Sequence, residues 1–234
     1  MCLIIKKFIL LLTFSICCSC AYNQSIPLFH VAGSNELPMY GGVEFTPQQI
    51  KANEELIKSV SERAGSREKA SDIAARIGWS HYYKSDYSTA MKRFNQAWLL
   101  NHNNPLAYWG FAVLLSAQGK HDEAYKMFEK ALSLDPNNPQ LIGDVANLYV
   151  ENVKTMDKTS PDRQVLLGKA ESLLNRAEKE SPDYCIYGQS AVLNYYEGNF
   201  QVCLDKAKMA QKYPRRKECD FVLQYEQKCN EALK

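Results

Sequence analysis

Two stretches decide how this chain folds: AMKRFNQAWLLNHNNP at residues 90–105 and AYKMFEKALSLDPNNP at residues 124–139. Ala90, Phe94, Ala97, Leu100, Asn103, Asn104 and Pro105 recur as Ala124, Phe128, Ala131, Leu134, Asn137, Asn138 and Pro139, each 34 residues further on. The small and apolar places lie three and four residues apart, the spacing of one helix face. Asn-Asn-Pro then ends that helix, turns the chain and starts the next, because proline suits the first turn of a helix and not its interior. Alanine at the two inner places lets paired helices approach closely, and the phenylalanine fills the gap between neighbouring pairs. The expected fold is therefore all-α, built of antiparallel helix hairpins.

Further copies are weaker. Ala124, Ala131 and Pro136 reappear as Ala170, Ala177 and Pro182, an offset of 46, twelve more than one period. The extra residues fall between the two helices of that hairpin, around Glu151 to Arg163. A fourth copy starts near Tyr184, turns at Glu197-Gly198-Asn199-Phe200, and places Cys203 and Ala210 at the small positions. Residues 217–233 read as one amphipathic helix that covers the last hairpin. This pattern resembles the tetratricopeptide repeat family over residues 67–233, with repeats near 71–104, 105–138, 139–183 and 184–216 and a capping helix at 217–233. His102 stands where that family usually has proline, and Cys203 where it usually has alanine.

The resemblance implies a right-handed superhelix of these hairpins, with a concave groove lined by the first helix of each and other proteins as partners. Its ligand-facing places fall on Asp72, Ala75, Trp79, Tyr82 and Tyr83 in the first repeat, and on Leu106, Trp109, Val113, Ser116 and Ala117 in the second. Asn147, Val150 and Glu151 follow in the third, and Val192, Tyr195 and Tyr196 in the fourth. Trp79, Tyr82, Tyr83 and Trp109 are the informative cluster, since aromatic side chains give large contact area at low entropic cost. The same rings could instead pack between hairpins. Relatives that clamp a C-terminal carboxylate use Lys, Asn and Arg at groove places where this chain has Ala75, Trp79 and Trp109, so that ligand class is not expected.

Ahead of the repeats, Lys6-Lys7 precedes an apolar run from Phe8 to Ile16, followed by Cys17-Cys18-Ser19-Cys20-Ala21. The run is shorter than the roughly 20 residues a bilayer span needs. Residues 1–20 resemble a bacterial lipoprotein signal, with Cys20 the best candidate for lipidation because Ser19 precedes it. That implies an outer-membrane lipoprotein facing the periplasm, tethered to the membrane by its N-terminal lipid; a soluble secreted or periplasmic form is the alternative. Residues 21–45, broken by Pro27, Pro38 and Gly41-Gly42, are expected to be an extended linker. Thr46-Pro47-Gln48-Gln49 then opens a helix over 46–64 with a capping box.

Cys185, Cys203, Cys219 and Cys229 gather near the end, an even number in a chain expected to be exported. Cys219 and Cys229 are too far apart on one helix, roughly 15 Å along its axis, to bridge each other. Cys185–Cys219 and Cys203–Cys229 are the favoured pairs; buried thiols and a metal are the alternatives. His30, His81, His102 and His121 sit beside no nucleophile motif, and phosphate loops and zinc-protease spacings are missing, so neither catalysis nor a cofactor is expected. Lys206, Lys208, Lys212, Arg215, Arg216 and Lys217 form a basic run, read as a solvated face and turn, with acidic lipid headgroups or an anionic partner as the alternative. The 28 basic and 26 acidic residues nearly balance, which does not steer the 234-residue chain toward nucleic acid. The expected function is a protein-binding scaffold or adaptor in the cell envelope that supports assembly of an envelope complex. The alternative is a non-catalytic regulator or recruiter of a cell-wall enzyme or protease.

Overall fold

Ala90, Ala97, Ala124 and Ala131 are all fully buried, and around them the chain doubles back as paired helices. The computed structural model describes residues 33–234. Among them run ten α-helices: α1 (Pro47–Ala64), α2 (Arg67–Tyr82), α3 (Tyr87–Leu100), α4 (Pro105–Ala117), α5 (His121–Leu134), α6 (Pro139–Val153), α7 (Pro161–Glu180), α8 (Tyr184–Glu197), α9 (Phe200–Ala210) and α10 (Phe221–Ala232). Hairpins α2–α3, α4–α5, α6–α7 and α8–α9 pack most tightly within themselves, and each first helix also touches the next first helix. The fold is the all-helical stack of hairpins that the period implies.

Phe94 shows why the spacing is fixed. Its ring is fully buried between Gly78 of α2 and Gly110 of α4. A Cβ on Gly78 would lie 2.7 Å from the ring, and one on Gly110 would lie closer still. Only hydrogen at both places lets three helices close around one phenyl group. Asn104 locks the same junction: its Oδ1 accepts from the Leu106 amide at 2.8 Å and caps α4, while its Nδ2 donates to Ser71 Oγ at 2.8 Å and Asp72 Oδ1 at 2.9 Å. Asn138 repeats the cap on α6, accepting from Leu141 at 3.1 Å.

The third hairpin absorbs its extra residues in three places. α6 has 15 residues where α4 has 13, α7 has 20 where α5 has 14, and the connecting loop lengthens as well. Arg163, buried in the extended start of α7, donates to the Tyr196 carbonyl at 2.5 Å and so satisfies the end of α8.

Two expectations are corrected. Residues 33–45 are not a free tether: Ser34–Glu36 and Pro38–Gly42 form short 3-10 turns docked on α3. Tyr40 is fully buried, 5.4 Å from the Phe45 ring and 6.4 Å from Trp98. Asn95, wholly buried in α3, holds this strap by donating to the carbonyls of Asn35 at 3.1 Å and Leu37 at 2.8 Å and by accepting from the Tyr40 amide at 3.3 Å. Met39 and Tyr40 adopt left-handed φ of 51° and 56°, a strain that burial of Tyr40 offsets. Residues 21–32 of the expected linker lie outside the described residues. The closing helix is also shorter than 217–233: Lys217–Cys219 is a 3-10 turn, and α10 begins at Phe221. α10 touches both α9 and α8, as α4 touches both α3 and α2, so it occupies the place of a further first helix.

Candidate protein-binding groove

The first helices α2, α4 and α6 lie side by side, and their aromatic residues meet. Trp79 stands 4.7 Å from Trp109 between ring centroids, 5.5 Å from Tyr82 and 6.0 Å from Tyr83; Tyr87 of α3 closes the row 5.7 Å from Tyr82. These separations suit edge-to-face packing. Beneath them, Phe94 is 5.5 Å from Trp79 and joins the cluster to the core. Towards solvent, Tyr83 is 76% exposed, while Trp79, Tyr82 and Trp109 are half-buried. The cluster therefore serves as both core and surface. Burial pushes the Tyr82 phenol up, and the nearby Asp144 charge adds to the shift.

Asp144 is the residue that sequence reasoning missed. It is a partly buried carboxylate on α6 whose Oδ2 accepts from Trp109 Nε1 at 2.8 Å. Burial pushes its pKa up to about 6, and the indole hydrogen bond only partly offsets this. Among the described residues no cation forms an ion pair with it. The signal in the sequence is an aspartate set within the apolar run Leu141-Ile142-Gly143-Asp144-Val145-Ala146. A wider asymmetry accompanies it. Helices α4, α6 and α8 contain no lysine or arginine, and their charged residues are Asp144, Glu151 and Glu197, whereas α3, α5, α7 and α9 each carry two or more basic residues. The lack of basic residues is confined to α4, α6 and α8, since the first helix α2 carries Arg67, Lys69 and Arg76.

The remaining expected groove residues are dispersed. Val113 is 8% exposed and belongs to the main apolar core, so it is corrected from groove wall to packing residue: the close approach of α4 to its neighbours leaves it no free face. Val150 and Val192 are buried in the same way. Asn147 is half-buried on α6, three residues beyond Asp144. Tyr195 and Tyr196 are separate from the tryptophans and pack on Tyr225 of α10, at 5.4 and 6.2 Å, with the Tyr225 hydroxyl donating to that of Tyr196 at 3.2 Å. Cys185 is bonded to Cys219, with Cα atoms 5.4 Å apart, and Cys203 to Cys229, at 6.2 Å. These bonds tie α8 and α9 to the closing segment. Cys20 lies outside the described residues. A cavity of about 580 Å³ opens where the third hairpin is lengthened, lined by His121, Asp122, Tyr125, Asn152, Met156 and Leu166 among others. Among the described residues no cluster of three or more His, Cys, Asp or Glu is placed to hold a metal ion, and no helix is long and apolar enough to cross a membrane.

Residues 115–152, from the end of α4 to α6, match the family model for the tetratricopeptide repeat. That segment is similar to a tetratricopeptide repeat. The chain is 29% identical over 131 residues to a TPR repeat-containing protein of Methanocaldococcus jannaschii, an alignment that takes in 55% of this chain and 19% of that relative. The chain thus spans about a fifth of the length of that curated relative. Its fold is shared with a thermophilic TPR protein of Thermus thermophilus, at a TM-score of 0.60 and 19% identity over 70% of this chain and 86% of that one. A structure of Pseudomonas aeruginosa pilF is more distant, with a TM-score of 0.36 and 13% identity over 71% and 90% of the two chains. In this stack of hairpins the first helices carry the open aromatic row.

Proposed function

We propose that this protein is a scaffold of the tetratricopeptide type, non-catalytic and of the bacterial cell envelope, which holds a peptide segment of a partner protein against α2, α4 and α6. The observation that carries this reading is the aromatic row Trp79, Tyr82, Tyr83 and Trp109, anchored on the core at Phe94 and open to solvent at Tyr83. Rigid rings fixed from below lose little entropy when a ligand covers them. The envelope assignment rests on the signal-like residues 1–20 with Cys20 as the lipidated residue, and two disulfides suit an oxidising compartment. In this reading the lipid holds the protein on the outer membrane, facing the periplasm, where it supports assembly of an envelope complex.

The test replaces Tyr83 with a photo-crosslinking amino acid in the full chain and identifies the captured protein by mass spectrometry. A discrete adduct that disappears in Trp109→Ala and Tyr82→Ala supports the groove. An adduct indifferent to both substitutions places the contact elsewhere. For the anchor, detergent partitioning that persists in Cys20→Ala removes the lipoprotein reading.

A further inference from the structure

We infer that the segment held in the groove is basic, with a lysine or arginine side chain of the partner seated among Trp79, Tyr82 and Trp109 and Asp144 as its counter-ion. This inference rests on the groove reading above and names the chemistry of its ligand.

Two independent features point to a cation. The first is the treatment of aromatic rings elsewhere in the chain. Lys130 stands 5.9 Å from the Tyr108 ring centre, Lys169 5.8 Å from Tyr149, Lys206 5.7 Å from Tyr187, Lys154 5.4 Å from Tyr196 and Lys228 4.5 Å from Tyr225. Each of these rings is covered by a cation from this chain, in the range where the ring quadrupole attracts positive charge. Among the described residues no lysine or arginine covers Trp79, Tyr82 or Trp109. Tryptophan is the strongest such acceptor, and here two meet at 4.7 Å.

The second feature is Asp144. One carboxylate oxygen accepts a hydrogen bond from the Trp109 indole N–H, and the other accepts none from the described residues and is not sealed off from solvent. Covering this site with a neutral apolar segment would strip water from an ionised carboxylate with no compensating charge. An acidic segment would add repulsion. A lysine or arginine covers the rings with its aliphatic stem and meets the carboxylate with its head.

Intrinsic tryptophan fluorescence provides the test, because Trp79 and Trp109 both sit at the site. The full chain is titrated with a capped peptide alternating lysine and leucine, and with the same peptide carrying glutamine or glutamate in place of lysine. The lysine peptide should bind at least about tenfold more tightly than the glutamine peptide, and Asp144→Asn should erase that difference while the protein remains folded. If the glutamine peptide binds as tightly, and Trp109→Ala abolishes both, the groove survives and its basic ligand does not. Should methylguanidinium alone match the lysine peptide, the pocket is a small-cation site and the peptide assignment is wrong. No response to any peptide overturns both readings.

Discussion

Asp144→Asn separates stability from binding at one atom. The folded protein holds the Asp144 carboxyl at about 6, against an ordinary value of 3.8, because burial penalises its charge. A raised folded-state pKa means that the native chain binds the proton more tightly than the unfolded chain. The stabilisation it confers is complete below about pH 4 and is lost as pH rises through about 6. Two units at about 1.4 kcal/mol each give a loss of about 3 kcal/mol by neutral pH. Asparagine cannot ionise, and its amide oxygen can still accept from Trp109 Nε1, so it avoids that loss. The net rise already includes the stronger hydrogen bond that Trp109 gives the charged form, so the gain is about 3 kcal/mol at pH 7.5 and none at pH 3.5. Urea unfolding of both proteins at several pH values measures the difference directly, and it cancels the carboxylates they share. At neutral pH the melting temperature should rise by about 6 °C. A difference that does not change with pH, or a variant less stable than the parent at pH 7.5, would refute the account of Asp144 as a charge kept under strain.

Other substitutions test the fold at named contacts. Gly110→Ala forces a methyl group into the Phe94 ring, and the overpacking of about 1–3 kcal/mol should exceed the helix-propensity gain of about 1 kcal/mol; adding Phe94→Leu should recover most of the loss, as read from thermal unfolding. Asn95→Ala removes three hydrogen bonds to the strap and should lower stability by about 2–4 kcal/mol, with faster proteolytic cleavage inside residues 33–45; unchanged cleavage would mean that Tyr40 alone holds the strap. Replacing Cys203 and Cys229 together by alanine opens a link of 26 residues, worth about 3 kcal/mol, and because repeats unfold locally the loss of amide protection should concentrate in α9 and α10.

The period of 34 and the placing of alanine, phenylalanine and Asn-Asn-Pro were enough to determine the stack of hairpins, because helix pairing and capping are local and recur with the sequence. The first-helix tryptophans were legible for the same reason. Tertiary structure alone decided the rest. Asp144 meets Trp109 across 35 residues, and no local pattern announces a bond whose partners lie on different hairpins. Asn95 occupies the position that Glu129 takes in the next repeat, and only the docked strap, 55 to 60 residues earlier in the chain, explains a buried amide there. Val113 fell on a groove position by counting, yet the separation of neighbouring helices, set by every side chain between them, closed it into the core. Sequence periodicity fixes which face of a helix turns inward; how far apart the faces stand, and so which residues stay open to a partner, depends on packing between units.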